Sequence, residues 1–572
     1  MDINEIMETD IWQLYEEGRN YCRMMGIFTD TDRNYRMYNG NQWHGLRVSG
    51  IEPVQLNFIK PIVKYKVGTI NANQYAINFS AENYDNEEFR EVAIKTCELL
   101  NRRASKVWEK DKMDFKIRRV SKDSAINDEG IIYITYDTEL DMPKTELIDK
   151  NDIFYGNENS DDMQEQPYVL IKQRMPVSSL KLLAESEGIK GEKLTYIIGD
   201  NDTFEETGDD AKYEKDDMAT LVTKLYKKNG TVHYSKATRF VTLKEETDSG
   251  LTLYPVAHMV WEEKKGSARG EGEVRHLIPN QLEVNKTIMR RLLVAKSTAY
   301  PQKVAHIDKI ANPEAINTIG GIIKVKGQEV QDVRQIFYNT QPAQMSSDVE
   351  KVMTELITHT RELSGAGDVA TGDIDPEKAS GKAILAVQQA QQAPLTEQLV
   401  SLKNLLEDVA KIWLDMWRVY ATEGLQLEEE ETDLITGEES VELVSVPPTV
   451  LQELQASVKI DITPKGAFDK YAQEQSIESL LTNGMINLEE YVDALDEDSV
   501  MPKSKLEKIL EKRKEAQMRI AQINNRARLL QQNIQQQMNN GNIQPDVGQG
   551  VEADMMQNNN PNVVNPNMQM PQ

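Results

Sequence analysis

Two long helical patterns separated by a short, glycine-punctuated segment constrain this chain more than any other feature. After Gly266, Gly270 and Gly272 break the backbone, Glu273 to Ala299 runs without glycine, interrupted only by Pro279 near its start. Val274, Ile278, Ile288, Leu292 and Ala295 fall on one stripe at three-to-four spacing, which predicts an amphipathic helix ended by Pro301. Gln281 and Asn285 share that stripe. Polar side chains there need hydrogen-bonded partners, as at helix contacts between subunits. From Gln302 to about Gln344 the chain turns short-stranded, with residues 318–325 as its clearest hairpin or strand edge. A second helix is predicted over 346–363, with Val349, Val352, Met353, Leu356, Thr360 and Leu363 on one face. The loop that follows carries Gly365, Gly367 and Gly372 with Asp368 and Thr371, too much glycine to hold one geometry unaided.

Residues 1 to about 110 alternate helical patterns with a tight loop, Tyr38-Asn39-Gly40-Asn41-Gln42-Trp43, whose Asn-Gly step supplies the positive φ of a sharp turn. A helix is predicted from Asn86 to Trp108. Strands follow at residues 130–136, 168–172 and 221–226, and Lys228-Asn229-Gly230 predicts a hairpin returning through 231–234. Residues 1–268 therefore read as one α+β region. A third helical pattern spans about 382–422 and is expected to kink at Pro394. Its distal half places Leu395, Leu399, Leu402, Leu406, Val409, Trp413, Met416 and Tyr420 in register as core. A strand is expected over 457–463 and helices over about 468–481, 488–495 and 503–530. In the last 42 residues, 20 are Asn or Gln, too little apolar surface to offset ordering entropy, so disorder is expected there.

At 572 residues the chain can bury several cores, and 66 Lys+Arg against 93 Asp+Glu give a net charge of −27. That balance excludes a generally basic nucleic-acid coat. The acidity is local: residues 200–217 and 423–443 each hold nine Asp or Glu and read as solvated loops. Residues 269–310 carry eight Lys or Arg against four acids, and 503–530 nine against three. Only Cys22 and Cys97 occur, which leaves no disulfide framework and fits synthesis in a reducing cytoplasm. The acidic N-terminus lacks a secretory n-region, and no apolar run approaches the ~18 residues needed to cross a bilayer, so a soluble chain without membrane association is expected.

Catalytic signatures are missing from the sequence. It contains no P-loop, no H-E-x-x-H and no G-x-S-x-G. Asp373-Ile374-Asp375-Pro376-Glu377 lacks the glycine and terminal glutamate of a calcium loop and reads as a helix N-terminal loop enriched in acids. His44, His233, His258, His276, His306 and His359 are scattered and read as surface or core residues. No catalytic residue, cofactor or metal is assigned, and the chain reads as no enzyme.

The order of parts resembles the portal proteins of tailed bacteriophages, of the podovirus type. Four strings carry the likeness: Tyr38 to Trp43; Asp128-Glu129-Gly130 to Ile134 with Asp137; Gly270-Glu271-Gly272-Glu273-Val274-Arg275 with Leu277 to Gln281 and Asn285-Lys286; and Ala370-Thr371-Gly372-Asp373 with Ala379-Ser380-Gly381-Lys382-Ala383. The resemblance implies a portal fold with wing, stem, clip and crown regions, assembled as a cyclic ring, typically of twelve subunits. The wing would be 1–268, the first stem helix 269–301, the clip 302–345 and the second stem helix 346–363. The tunnel loop would be 364–378, a kinked channel and wing helix with its return segment 379–455, the crown 456–530 and a disordered tail 531–572.

Such a ring sits at one capsid vertex of the virion, after assembly in the bacterial host cytoplasm. Its implied partners are its own copies, double-stranded viral DNA held weakly and non-specifically, the terminase large subunit, head–tail adaptor and tail proteins, and the major capsid and scaffolding proteins. Arg275, Lys286, Arg290, Arg291, Lys296 and Lys303 are candidates to face the lumen or the neighbouring subunit, with ordinary intersubunit salt bridging as the plainer alternative. Gly365, Gly367, Asp368, Thr371 and Gly372 would form the tunnel loop. Three competing classes remain: another virion structural protein such as a head–tail adaptor, a DNA-processing enzyme such as a nuclease or terminase subunit, and a coiled-coil scaffold.

Overall fold

A computed structural model describes residues 7–45, 52–82, 87–200, 217–299, 303–318, 322–326, 336–339, 347–365, 393–422, 424–432 and 439–464, with scattered positions between 477 and 528. The chain divides into two compact units, residues 1–466 and 467–572. In the first, helix α1 (Asp10–Met24) starts where the Thr9 hydroxyl accepts the Trp12 amide at 3.3 Å. Helix α2 (Ile27–Asn39) stops at Gly40, whose φ of 93° closes the turn that the Asn-Gly step predicts. Helix α3 (Ile59–Ile70) leads into β1 (Asn73–Ala81), a strand within a stretch whose periodicity predicts only helices. Its signal is the short alternation of Tyr75, Ile77 and Phe79, all buried. Helices α4 (Glu87–Lys110) and α5 (Met113–Asn127) follow, the former within two residues of the predicted span.

Two antiparallel sheets come next. Strands β2 (Glu129–Asp137) and β3 (Met142–Ile148) belong to the first, and β4 (Ile153–Tyr155) and β5 (Val169–Pro176) open the second. Past helix α6 (Val177–Ser186), the second sheet is completed by β6 (Met218–Lys228), β7 (Thr231–Ala237) and β8 (Thr242–Asp248), in spatial order β4-β5-β6-β7-β8. Asn229 and Gly230, with φ of 55° and 93°, form the predicted hairpin turn between β6 and β7. Strand β9 (Val256–Val260) returns to the first sheet, giving the order β3-β2-β9. The acidic residues 201–216 lie outside the described residues.

Helix α7 (Glu273–Ala299) spans the predicted range, and β10 (Lys303–Ala305) pairs antiparallel with β11 (Phe337–Asn339) before helix α8 (Ser347–Leu363). Of the expected hairpin or strand edge over 318–325, residues 319–321 lie outside the described residues, and Val325 forms an antiparallel bridge with Ile310. A single 3-10 turn, Ala393–Leu395, leads into α9 (Thr396–Tyr420), and the proximal part of the predicted kinked helix, through residue 392, lies outside the described residues.

The acidic stretch 423–443 is not a plain loop. Strands β12 (Leu425–Thr432) and β13 (Glu439–Val446) form an antiparallel hairpin, with Leu425 opposite Val446 and both buried. Charge masked the signal, because two paired strands satisfy their backbone without needing apolar residues along both faces. Helix α10 (Pro448–Glu453) turns the chain into β14 (Ala456–Pro464), which pairs along the whole of β1. In the second unit, α11 (Leu488–Asp493) buries Tyr491 and Val492 against Ile477, Leu481, Leu506 and Leu510.

Helix α9 is the centre of the first unit's core. Leu402, Leu405, Leu406, Val409, Trp413 and Trp417 have no exposed surface. The Trp417 ring lies 6.1 Å from Phe79 of β1, and Tyr420 stacks on Tyr136 of β2 at 4.9 Å. One polar residue of the helix is buried usefully: Asp415 accepts the amides of Thr252 and Leu253 at 2.7 and 3.1 Å, fixing the turn before β9. Trp417→Ala is expected to cost about 3–5 kcal/mol, read as a lower midpoint in denaturant unfolding; a loss below 1 kcal/mol would contradict a central role for α9.

Candidate stem surface and channel residues

The N-terminal half of α7 is embedded and its C-terminal half is not. Val274, Leu277, Ile278, Gln281, Val284, Asn285 and Met289 are buried, whereas from Arg290 onward every residue is exposed except half-buried Val294. Antiparallel α8 accompanies it: Asn280 Nδ2 donates to Thr360 Oγ1 at 3.0 Å near one end, and Arg291 pairs with Glu350 at 3.0 Å near the other. Leu292, Leu293 and Val352 are left exposed on this helical pair.

Gln281 and Asn285 find their partners inside the chain rather than across a subunit contact, which corrects the sequence expectation. Gln281 Oε1 accepts the Phe58 amide at 3.0 Å and its Nε2 donates to the Leu56 carbonyl at 2.7 Å. Asn285 Oδ1 accepts the Leu56 amide at 3.1 Å, and its Nδ2 donates to Gln42 Oε1. Gln42 in turn donates to the Met37 carbonyl at 3.1 Å. The irregular strand of chain before α3 thus has its backbone satisfied by two helical amides, as buried peptide groups require. Lys66 of α3 adds an ion pair to Glu273 at 2.6 Å, fixing the first turn of α7.

Just before α7, Arg269 is buried in the angle between the two sheets. Its guanidinium bonds Glu129 of β2, Glu158 at 2.9 Å and the Ile153 carbonyl of β4 at 3.2 Å, and lies 4.8 Å from the Tyr155 ring. Glu129 also accepts from the Tyr155 hydroxyl at 3.0 Å and meets His258 Nε2 at 2.9 Å. Burial opposes ionisation of Glu129, but Arg269, the His258 hydrogen bond and Lys150 outweigh it and hold the carboxyl well below the usual range. Beside it, the Lys150 ammonium bridges Asp128 at 2.5 Å and the Asn127 carbonyl at 3.0 Å. The neighbouring glycines are required by the close approach. A Cβ on Gly270 would stand 2.0 Å from Val260 Cγ1 and 2.3 Å from the Glu262 carbonyl oxygen, and one on Gly272 2.8 Å from the Asp128 amide nitrogen.

The six candidate cations are spread along the helix rather than gathered. Arg275 lies 3.7 Å from Asp30, Lys286 and Arg290 lie 3.6 and 3.0 Å from Glu283, and Arg291 pairs with Glu350. Lys296 is exposed and has a partner, and the Lys303 ammonium donates to the Ile316 carbonyl. Gly365, with φ of 73°, ends α8; Gly367, Asp368, Thr371 and Gly372 lie outside the described residues, as do residues 373–377. Among the described residues no group of His, Cys, Asp and Glu is arranged to hold a metal ion, and no helix is long and apolar enough to cross a membrane.

Sequence reasoning missed the Arg269–Glu129 centre and the Gln42–Asn285 contact, although both lie in or beside strings it singled out. A charged residue next to glycines that cannot accept a Cβ was the available signal. Three of the four strings meet in space: Asp128-Glu129-Gly130 against Gly270-Glu271-Gly272, and Gln42 against Asn285. The fourth, residues 370–383, lies outside the described residues.

Two antiparallel helices, flanking a small β element, follow a region that carries the two larger antiparallel sheets. The model of the P22-like phage portal protein family matches residues 27–561, most of the chain, and the protein belongs to that family. It is a phage portal protein, of the capsid vertex, and it forms the channel through which the viral genome is packaged. No curated protein matches the chain.

Two substitutions check the internal assignments. Gln281→Leu leaves the Phe58 amide and Leu56 carbonyl unpaired and is expected to cost about 2–3 kcal/mol; the loss should be independent of protein concentration, whereas a subunit contact would make it concentration-dependent. Because the folded-state pKa of Glu129 is depressed, its contribution is present above the unfolded carboxylate pKa and fades as pH falls toward the folded value. Glu129→Gln should therefore flatten acid destabilisation below about pH 4 while lowering stability at neutral pH, both measurable by thermal melts across pH.

Proposed function

We propose that the chain acts as a closed ring of identical subunits, with α7 and α8 as its stem, residues 302–345 as its clip, 1–268 as its wing and 364–378 as its tunnel loop. The observation that carries this reading is the solvent-facing C-terminal half of α7: Leu292 and Leu293 with Val352 of α8 form apolar surface that a lone subunit leaves in water and a neighbour would cover. Residues 456–530 are proposed as the crown, whose first strand, β14, pairs with β1. The clip and the emergent ends of the stem helices are the surfaces offered to the terminase large subunit during packaging and to head–tail adaptor and tail proteins afterwards. Major capsid and scaffolding proteins would meet the outer body. Twelve is the subunit number proposed for the ring in the virion.

The stem cations serve this architecture as local neutralisers more than as a grip. Exposed pairs such as Arg290–Glu283 and Arg291–Glu350 are each worth only about 0–1 kcal/mol. A conduit gains from that restraint, because each neutralised phosphate adds affinity that slows translocation.

Negative-stain images of the purified protein should show rings with an axial hole, and monomers or dimers under all conditions would overturn the ring. Arg290→Glu/Arg291→Glu should still assemble and change packaging or DNA retention; failure to assemble would reassign both arginines to subunit contact. Deletion of residues 365–372 should leave assembly intact and reduce packaged DNA, and normal packaging and retention by that variant would refute the tunnel-loop assignment.

A further inference from the structure

Two helices outside the proposed stem carry cations without an ion-pair partner. Each stem candidate has a partner within the chain, as described above. Helix α3 carries Lys60, Lys64 and Lys66 with no Asp or Glu, and only Lys66 is spent, on Glu273. On α5, Lys116 is spent on Asp111 and on the Thr145 carbonyl at 2.7 Å, which leaves Arg118, Arg119 and Lys122, all exposed. Among the described residues none of Lys60, Lys64, Arg118, Arg119 and Lys122 forms an ion pair. Asp123, whose charged form Lys122 and Arg119 both favour, also accepts the Tyr35 hydroxyl at 2.6 Å.

These five side chains form one face. The Lys60 and Lys122 ammonium groups lie 5.6 and 5.4 Å from the centroid of the same Tyr38 ring, which joins the two helices at that point. Lys64 follows Lys60 by one helical turn, and Arg118 and Arg119 precede Lys122 by one turn, so each helix offers cations about 6 Å apart. Phe115, 62% exposed, stands beside these cations with the Arg119 guanidinium 5.9 Å from its ring centroid. Protein-binding centres are depleted in lysine, and a face of three lysines and two arginines fits a polyanion.

We propose that the α3–α5 face is a sequence-independent contact for the phosphate backbone of double-stranded DNA, made through Lys60, Lys64, Arg118, Arg119 and Lys122. The choice of DNA over an acidic protein rests on the portal reading, since DNA is the polyanion that this protein conducts. Contacts of this kind position a duplex without reading its bases and weaken steeply with salt.

The test is fluorescence anisotropy of a labelled random-sequence duplex with the full chain over a salt series, alongside negative-stain imaging of the same preparations. Lys64→Gln/Arg118→Gln/Arg119→Gln/Lys122→Gln should bind roughly tenfold or more weakly at low salt, with the slope of log K against log salt reduced by about 0.9 for each phosphate that is no longer neutralised. Lys190→Gln/Lys193→Gln, exposed cations outside this face, should match the wild type. The single variants Lys64→Gln and Arg118→Gln give the same trend in smaller steps if the fourfold variant folds poorly. Unchanged affinity and slope overturn the proposal. So does polyglutamate of equal charge binding as tightly as the duplex, which assigns the face to an acidic protein, or loss of rings in a folded variant, which assigns it to subunit contact. Cation-dependent DNA binding by a wild type that forms no rings supports this face and counts against the ring alone.

Discussion

A buried guanidinium has to be satisfied on every side, and Arg269 is satisfied by groups from β2, β4 and the loop beyond β4 at once. Removing any one of those partners would leave charge uncompensated in the interior, a situation that costs about 3–5 kcal/mol. The residue stands four positions before α7, so the geometry that satisfies it also fixes where the helix starts and which way it leaves the body. Gly270 and Gly272 are the steric counterpart of that constraint: they bring the backbone to within contact of Val260 and Asp128, where a side chain has no room. Everything that α7 does farther along depends on this anchored beginning.

The second anchor is made of amides rather than charges. Gln281 and Asn285 sit one turn apart on α7 and bond the peptide groups of Leu56 and Phe58, while Gln42 closes the set from the end of α2. Together with Lys66–Glu273 these contacts pin three turns of the helix to α2 and α3, and past Met289 nothing of the kind occurs among the described residues. A helix held rigidly at one end and cleared of polar obligations at the other is well suited to present a surface to neighbours. Within the chain, the emergent half is accompanied by α8, through Asn280–Thr360 and Arg291–Glu350.

How legible this was depends on the range of the interaction. Helices α7, α8 and α9 were visible because an uninterrupted 3.6-residue period over four or more turns is a strong local signal. The polar residues on α7 were visible as an anomaly, but their partners lie more than 220 positions away in sequence, and nothing local distinguishes an internal partner from one on another subunit. Strand β1 was hidden between helices because its alternation covers only Tyr75, Ile77 and Phe79 before the pattern changes, and its partner β14 arrives at the far end of the unit. In β12 and β13 the run of glutamates obscured the β-branched and leucine positions opposite them. The portal resemblance, by contrast, was carried by strings of which three lie where distant segments meet, at Gln42 and Asn285 and at Gly130, Gly270 and Gly272, where a Cβ has no room.

The same distinction between committed and uncommitted groups reorganises the charge of the molecule. A net −27 says that the protein as a whole repels DNA, and the two acidic segments 200–217 and 423–443 supply −16 of it. Within that field, a cation already paired to a carboxylate offers a passing phosphate little, since the neighbour's charge cancels it within a Debye length of about 8–10 Å. Counting lysines and arginines along α7 therefore overstates what that helix can hold, and α3, unremarkable by charge count in the whole chain, matters more because no acid shares its helix. Long-range repulsion with a small uncompensated cationic face gives contact without capture, which is the electrostatic condition for a channel whose DNA must keep moving.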